Sequence, residues 1–479
     1  MVAFWRGGLF KFFTDGTYQI IGENIFFDES QTENRSLQMI RWSSNGDEVL
    51  YLFSGRGIYE TFGEGVSLVE PYVPESGESP NLLLGADGKQ DVTSGPARCR
   101  FAVLRASLSQ RLVAAGDPES PNTVYMSAPL DASYWPVDQI IQLPDDGGYI
   151  TGLAIWYGAL IIFRNKDIWA FFGADLDDAS ASLVLQDSSV GCVAHKSIAA
   201  VPNIGLVFLG PDNIYALQQV VAIENQAKAV PIGDDIRNPL IESFKDQIVK
   251  DGICAVYHNQ QYRLSIPNTR KNESVFRLSI QNGIAWYMDT GPRVADYFLY
   301  NERLFGVDYK TGEILCLDGN WLFDKQAKIP FFVAFRREDL QPGPSRIKRL
   351  FIYTLAKGEM DTRESRLFSG KYGRSLFGRM YVKQSEVILG TEQHLDVSLV
   401  VDGHPVDVKR FGVLVERENS MLNLGTEPVR VYEYRFRPSL KGSFAQVRIS
   451  STQAGEDIAI LGYAIDYMPN NVMKGKRVR

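Results

Sequence analysis

Features that would indicate a membrane-spanning, secreted or metal-binding protein are scarce in this sequence. No apolar run approaches the roughly 20 residues that a transmembrane helix needs, and the opening MVAFWRGGLFKFF lacks the long apolar segment of a signal peptide. The four cysteines are Cys99, Cys192, Cys254 and Cys316. They form no CxxC pair and have no pair of histidines nearby, so we expect free, buried thiols in a reducing cytoplasm, without a metal or another cofactor.

Signatures of catalysis are also missing. The chain has four histidines, none beside a nucleophilic Ser or Cys in a known motif, and it has no P-loop, dinucleotide-binding or HExxH signature. His195 precedes an expected strand, and we interpret it as a structural hydrogen-bonding residue. The acidic stretch ADLDDAS (174–180) is expected to be a solvated loop, and Asp145 and Asp146 to be turn residues. We predict that the protein has no catalytic residue and is not an enzyme.

Length and composition favour two β-rich domains. A chain of 479 residues exceeds the size at which one hydrophobic core usually stops growing. Aromatic residues make up 12% of the chain, and 42 glycines and 22 prolines supply many turns. Because aromatic side chains suit a pleated, half-buried surface, we expect an all-β fold.

A hairpin pattern recurs along the first two-thirds of the chain. In ALIIFRNKDIWAFFG (159–173), two apolar runs flank a polar turn, and the second run carries a large side chain near its start. Gly, Asp, Asn and Pro recur in these turns because they tolerate or preset the φ angles that chain reversal needs. The marker side chains of the seven copies are Tyr18, Tyr59, Tyr125, Trp169, Tyr215, Phe276 and Leu315.

The spacing of the markers indicates a propeller. They are separated by 41, 66, 44, 46, 61 and 39 residues, and a strand-rich repeat of roughly 40–50 residues has the size of a four-stranded blade. Closing such blades around an axis buries their apolar faces and leaves only short edges. A β-sandwich or a β-helix also contains hairpins, but neither predicts this spacing. We therefore predict an irregular β-propeller of six or seven blades over residues 1–324.

The last third of the chain predicts a second domain, a β-sandwich over residues 325–479. Stretches such as AQVRIS and AIDYMP alternate apolar and polar residues, as in a sheet with one covered face. At about 355–390, Gly, Ser and Arg alternate with Leu, Phe and Tyr, which is typical of a mobile loop or of an arm that orders against a neighbouring subunit. The chain ends in a basic tail, NNVMKGKRVR.

Charge is divided between the two predicted domains. Residues 1–324 hold 24 basic and 40 acidic residues, a formal charge of −16, whereas residues 325–479 hold 26 and 17, a charge of +9. This division indicates complementary surfaces or an anionic partner, or simply two domains of unrelated composition.

Basic residues interleaved with aromatics in the second domain are candidate contacts with DNA phosphates or with a neighbouring subunit. Lys and Arg release condensed counterions when they bind phosphate, but they are equally suited to the acidic propeller of an adjacent copy, the interpretation we favour. The candidates are Arg336, Arg337, Arg346, Lys348, Arg349, Arg374 and Arg379.

The order of the hairpin motifs resembles that of a known family. LSQRLVAAGDPESPNTVYMSAPLDASYWP is followed by ITGLAIWYGALIIFRNKDIWAFFGAD and then by SSVGCVAHKSIAAVPNIGLVFLGPDNIYAL, together roughly residues 108–218. This order is similar to that in the propeller-bearing tail hub or nozzle proteins of short-tailed bacteriophages, of the packaged-DNA stabilisation or tail tubular protein B type. RFRPSLKGSFAQVRISSTQAGEDIAILGYAIDY is similar to the sandwich strands that end many of these proteins.

The resemblance implies a structural protein of the virion tail, assembled in the host cytoplasm. Such subunits form a hexameric ring below the portal and adaptor and above a tail fibre, spike or needle protein. The ring retains packaged double-stranded DNA and passes it, without sequence preference, during ejection. The family has no catalytic or cofactor-binding residues to carry over. An acidic lumen would let the duplex slide, whereas a basic one would hold it.

Two other classes of function stay open at this stage. One is a glycan-binding or glycan-cleaving propeller, such as a receptor-binding tail component, and the other is a cellular scaffold propeller. The glycan hypothesis predicts aromatics and paired carboxylates converging on one pocket. Its tryptophan candidates, which we interpret instead as blade-packing residues, are Trp135, Trp156, Trp169 and Trp286.

Overall fold

The chain divides into two compact units, Met1–Asp318 and Gly319–Arg479, so the predicted boundary between residues 324 and 325 lies a few residues further along. The description comes from a computed structural model of the 479-residue protein. The described residues are 2–5, 8–13, 17–22, 37–44, 47–93, 95–106, 109–220, 226–245, 252–267, 274–280, 285–289, 294–308, 313–317, 323–324, 327–328, 331–340, 344–356, 392–414, 429–451 and 458–469.

The first unit is a β-propeller of successive antiparallel sheets, as the sequence predicts. The described part of this unit contains seven such sheets in chain order, five with four strands and two with three. The first three sheets are formed by β1 (Val2–Trp5), β2 (Gly8–Phe12) and β3 (Tyr18–Gly22), by β4 (Gln38–Ser44), β5 (Asp47–Phe53), β6 (Ile58–Thr61) and β7 (Ser67–Leu68), and by β8 (Phe101–Arg105), β9 (Arg111–Ala115), β10 (Thr123–Met126) and β11 (Ile140–Gln142).

The fourth and fifth sheets each have four strands. All six residues of the second strand of the fourth sheet are buried. The strands of these sheets are β12 (Ile150–Trp156), β13 (Ala159–Arg164), β14 (Ile168–Phe172) and β15 (Ser182–Asp187), then β16 (Ala199–Val201), β17 (Gly205–Leu209), β18 (Ile214–Gln219) and β19 (Ala227–Pro231).

A short helix, α1 (Arg237–Lys245), separates the fifth sheet from the last two. The strands of the sixth and seventh sheets are β20 (Cys254–His258), β21 (Gln261–Ile266), β22 (Ser274–Ser279) and β23 (Ala285–Asp289), then β24 (Val294–Tyr300), β25 (Arg303–Asp308) and β26 (Ile314–Cys316). No described helix is long and apolar enough to cross a bilayer.

All seven predicted marker residues occupy the same place in their sheets. Each lies in the third strand, from Tyr18 in β3 to Leu315 in β26, because the hairpin pattern corresponds to the second and third strands of each blade. The first strands of neighbouring sheets contact one another, β4 with β8, β8 with β12, β16 with β20 and β20 with β24. The first strands are therefore the innermost ones.

The second unit contains two packed sheets with one core between them, as predicted for a sandwich. Its strands are β27 (Phe323–Asp324), β28 (Ala327–Lys328), β29 (Phe331–Ala334), β30 (Glu338–Asp339), β31 (Ser345–Ala356), β32 (Glu392–Val401), β33 (His404–Leu414), β34 (Val429–Gly442), β35 (Phe444–Ser451) and β36 (Ile458–Pro469). One sheet has the order β29-β35-β32-β33, the other β34-β31-β36, and β27 pairs with β28. Leu350 and Ile352 from one sheet pack with Val397, Val447 and Ile449 from the other.

The structure differs from the sequence interpretation in two details, the course of the chain through β34 and β35 and the burial of Cys316. The stretch YEYRFRPSLKGSFAQVRISST reads as one long strand but forms β34 and β35, which lie in different sheets. The chain passes between the sheets at Gly442, where a β-carbon would overlap Val401. The part of the predicted arm that follows Ala356 lies outside the described residues. The basic tail lies outside them as well. Cys316 is half-buried rather than buried.

Candidate functional site at the propeller axis

A cavity of about 570 Å³ opens where the innermost strands of the propeller begin. Its wall includes Gln38, Phe101, Ile150 and Ile253, which lie at or next to the first residues of β4, β8, β12 and β20. The turn before β16 supplies 193–196. Because these segments come from five consecutive sheets and are the innermost strands, we call this space the axial cavity.

Backbone hydrogen bonds join the loops on one side of the axial cavity into a continuous wall. The N–H of Arg100 donates to the carbonyl of Ala115 at 3.1 Å, which fixes the start of β8 beside the loop after β9. Two further hydrogen bonds connect that loop to the segment before β12. The N–H of Ile150 donates to the carbonyl of Pro121 at 2.9 Å, and the N–H of Leu143 donates to the carbonyl of Asn122 at 3.0 Å.

His195 closes another side of the cavity as a neutral side chain. The N–H of Leu153 in β12 donates to its Nδ1 at 3.2 Å, and its ring lies 5.1 Å from the ring of Phe101. Burial, with a smaller effect from the charge of Lys196, lowers the pKa of His195 to about 4. This contact confirms the predicted structural role, since Nδ1 serves as an acceptor within the fold.

Two charged groups of the lining are neutralised within the propeller. The Asp117 carboxylate is 1% exposed and lies 2.9 Å from the Arg98 guanidinium. The Lys196 ammonium lies 2.7 Å from Asp296 in β24, so this pair joins the fifth and seventh sheets. These pairs hold the wall together and leave little net charge for a ligand.

Four other side chains of the lining are available to a ligand. Arg100 is half-buried and Asp145 is exposed, and neither makes an ion pair with any residue in the described part of the chain. Asn122 is 4% exposed, and its Oδ1 has no hydrogen-bond partner among the described residues. Tyr149 is 46% exposed at the rim. Together they place a cation, an anion, an amide and an aromatic ring around one cavity.

The rim loop that carries Asp145 and Tyr149 is clamped by a buried arginine. Arg164, which is fully buried, donates to the carbonyl of Pro144 at 3.0 Å and forms an ion pair with Asp146. Its Nε also lies 3.2 Å from the carboxylate of Asp167. Asp146 is therefore more than a turn residue, because it anchors the rim to β13.

The acidic stretch after β14 has structural contacts, contrary to the solvated loop predicted for it. Asp175 lies 2.6 Å from Arg111, a buried residue of β9. Asp178 accepts hydrogen bonds from the backbone N–H groups of Ala174 and Ser180, and these bonds lower its pKa. The stretch joins the third and fourth sheets and does not line the axial cavity.

The predicted contact residues lie in the second unit and divide into paired and unpaired cations. Arg349 lies 3.3 Å from both Glu433 and Asp466, and Arg337 stacks on the ring of Phe444. Both side chains therefore have partners within the second unit. The exposed predicted residues without an ion pair in the described part of the chain are Arg336, Arg346 and Lys348. Predicted residues 374 and 379 lie outside the described residues.

The four tryptophans pack inside or between blades, as we interpreted them. Trp135 is fully buried in the core of the second and third sheets, and Trp286 packs on the core of the fifth and sixth. Trp156 and Trp169 pack against two further clusters. None of them lines the axial cavity, so they do not form the convergent aromatic pocket of the glycan hypothesis.

Comparison with known proteins shows distant structural likeness. No family model and no curated protein sequence matches the chain. The extracellular domain of BT3049 from B. thetaiotaomicron is similar over 65% of this chain and 39% of its own, with 10% identity and a TM-score of 0.37. A prolyl endopeptidase is similar over 70% of this chain and 52% of its own, with 8% identity and a TM-score of 0.33.

A further similar structure is exo-inulinase from Aspergillus awamori, which matches over 97% of this chain and 90% of its own, with 8% identity and a TM-score of 0.27. Glycoside hydrolases and extracellular domains are thus among the similar structures. Similarity at these scores gives no information about the activity of this chain. The assignment of a propeller rests on the strand order described above.

Proposed function

We propose that this chain is a structural tail protein of a short-tailed bacteriophage, a hub or nozzle subunit that forms a hexameric ring around the DNA exit channel. The ring retains packaged DNA and passes it during ejection. The observation that carries the proposal is the motif order over residues 108–218, which coincides with the third, fourth and fifth sheets of one propeller. The proposed partners are further copies of this chain, an adaptor or portal on one side, and a fibre, spike or needle protein on the other.

The opposite charges of the two parts of the chain support a head-to-tail ring. Residues 1–324 carry −16 and residues 325–479 carry +9. A ring needs two different surfaces that bind each other, and opposite charge on these surfaces accelerates and orients the encounter. The sandwich of one subunit would then face the propeller of the next.

A like-charge pair on the sandwich supports an anionic partner. Arg346 in β31 stands directly opposite Lys441 in β34 in the strand register, and both side chains are exposed. Like charges directly opposite each other on one sheet face destabilise the pair. An acidic surface of a neighbouring subunit would neutralise both cations, which gives this arrangement a use despite its cost to the isolated unit.

Assembly in solution tests the proposal. The full chain is purified, and its mass is measured by sedimentation velocity over a range of concentrations at low and high salt. We expect species that grow towards six copies at low salt and a monomer at high salt, because screening weakens contacts between exposed charges. A monomer at low salt and high concentration, also in the presence of duplex DNA, would count against the ring.

A further inference from the structure

The axial cavity has the size and position of a small-ligand site. Its volume of about 570 Å³ falls within the roughly 300–1,000 Å³ that small-molecule sites occupy. Its rim is rigid, since Arg164 holds the loop of Asp145 and Asp146 through an ion pair and a hydrogen bond to Pro144. A site whose supporting residues are fixed in this way binds without first being ordered.

The free charges of the cavity are one guanidinium and one carboxylate. Asp117 and Lys196 are neutralised by partners within the propeller, and His195 is neutral. Arg100 and Asp145 make no ion pair with any described residue. A guanidinium presents a planar fork of donors that matches a carboxylate of a ligand, whereas a free carboxylate accepts hydrogen bonds from hydroxyl groups.

Asn122 adds a polar group that lacks a partner. It is 4% exposed, lines the cavity, and its Oδ1 makes no hydrogen bond to any described residue. A buried amide oxygen without a partner costs free energy that a ligand hydroxyl can recover by donating to it. Because the unpartnered Oδ1 is an acceptor, it is suited to a donor such as a sugar hydroxyl.

Tyr149 supplies an aromatic surface at the rim. The ring is 46% exposed, while the backbone is fixed, since its N–H donates to Oδ1 of Asn165 and its carbonyl accepts from the N–H of the same residue, both at 3.0 Å. A tyrosine with an open ring face and a polar tip packs against ligands that have both apolar C–H faces and hydroxyl groups.

From these four side chains we propose that the axial cavity binds an acidic sugar, meaning a sugar residue that carries a carboxylate. Arg100 binds the carboxylate, Asp145 and Asn122 bind hydroxyl groups, and Tyr149 packs on the ring of the sugar. The site binds and does not cleave its ligand, because glycoside hydrolysis usually takes two carboxylates that face the substrate, and Asp117 is fixed by Arg98. This inference does not rest on the proposed tail function.

Calorimetric titration of the full chain tests the site with D-glucuronate, D-glucose, acetate and a short oligouronide. We expect saturable binding of glucuronate, with glucose and acetate each at least tenfold weaker, since each lacks half of the recognised groups. Tighter binding of the oligouronide than of glucuronate would identify a polysaccharide as the source of the ligand. Binding of the monosaccharide alone would identify a free sugar acid, and either result supports the site.

Two variants and two matched controls locate the binding. Arg100→Gln should weaken glucuronate binding at least tenfold and abolish its advantage over glucose, and Tyr149→Ser should weaken both sugars. Arg303→Gln and Tyr157→Ser change exposed residues that do not line the cavity, and they should leave binding unchanged. Unfolding temperatures confirm that each variant is folded. The inference is overturned if no ligand saturates the protein, if glucose or acetate binds as well as glucuronate, or if folded Arg100→Gln binds normally.

Discussion

The α-carbon of Gly148 lies against the guanidinium of Arg164, and a β-carbon at this position would collide with it. Arg164 is fully buried and forms ion pairs with Asp146 and Asp167. Glycine at position 148 therefore allows the rim of the axial cavity to close over a buried cation. This contact joins the fourth sheet to the loop that carries two of the proposed ligand-binding residues.

Gly148→Ala should destabilise the protein, because the added methyl group must displace the guanidinium or the rim loop. We expect a loss of about 1–3 kcal/mol in the free energy of unfolding, measured by urea denaturation. Arg164→Met should cost more, about 3–5 kcal/mol, since it leaves the buried Asp167 without its cation. Gly65→Ala is the control, because no atom lies within 4 Å of a β-carbon there. Equal stability of the Gly148→Ala and Gly65→Ala proteins would show that Arg164 is not packed as described.

Stability should fall in mild acid because of His195. Its pKa is lowered to about 4 in the folded protein, whereas an unfolded histidine titrates near 6.5. The unfolded chain therefore takes up a proton first, and the stability contributed by the neutral side chain is complete above pH 6.5 and is lost as the pH falls towards 4. We expect this group to cost about 2 kcal/mol between pH 7.5 and pH 5.

Comparison with His195→Gln isolates that contribution, because glutamine does not titrate and keeps a side-chain acceptor. The difference in unfolding free energy between the wild type and the variant should shrink on going from pH 7.5 to pH 5. A difference that stays constant over this range would mean that His195 titrates normally in the folded protein.

Three of the four thiols should be unreactive in the folded state. Cys99, Cys192 and Cys254 are at most 1% exposed, and burial raises the pKa of the Cys192 thiol to about 12 and that of the other two well above the usual value. Alkylation needs the thiolate. A short iodoacetamide pulse at pH 8, analysed by mass spectrometry, should modify Cys316 first.

Urea-unfolded protein is the control for the thiols and should be modified at all four. Modification of Cys192 or Cys254 in native protein, at a rate comparable to that of Cys316, would contradict the structure, because Cys192 lies in the core between the fourth and fifth sheets and Cys254 is 1% exposed in β20.

Charge reversal at Arg346 should stabilise the isolated chain and weaken its assembly. Arg346→Glu turns the like-charge pair with Lys441 into an opposite-charge pair, so the free energy of unfolding should rise by about 0.2–1 kcal/mol. Assembly at low salt should weaken, since the variant repels the acidic propeller of the next subunit. Lys228→Glu, an exposed change on the propeller, is the control and should leave assembly intact. If the Arg346→Glu protein assembles normally but no longer binds DNA, Arg346 contacts DNA rather than a neighbouring subunit.

The propeller could be predicted from the sequence because the pattern of each hairpin is contained in a short stretch of the chain. A hairpin needs two strand patterns and a turn, all within about 15 residues, and the seven markers from Tyr18 to Leu315 each lie in the third strand of a sheet. The change of sheet at Gly442 could not be predicted from the sequence, because the strand pattern continues through it and the residue that packs closely against it, Val401, lies 41 positions earlier.

The axial cavity was missed for the same physical reason. Arg100, Asp145 and Tyr149 lie outside the quoted motifs, Asn122 lies inside one that we interpret only as a hairpin, and the four meet only because the starts of several innermost strands converge. The buried arginine Arg164 looks like an ordinary turn residue in the sequence. The sequence identifies Asp145, Asp146 and the two glycines that follow only as a turn, and the close approach of Gly148 to Arg164 is visible only in the structure.

The measurement that tests the tail assignment most directly is an electron cryo-microscopy reconstruction of the protein assembled at low salt. The account predicts a closed ring of six subunits, with the basic sandwich of each against the acidic propeller of the next and an acidic lumen wide enough for duplex DNA. Isolated monomers, an open filament or a ring with a basic lining would contradict it.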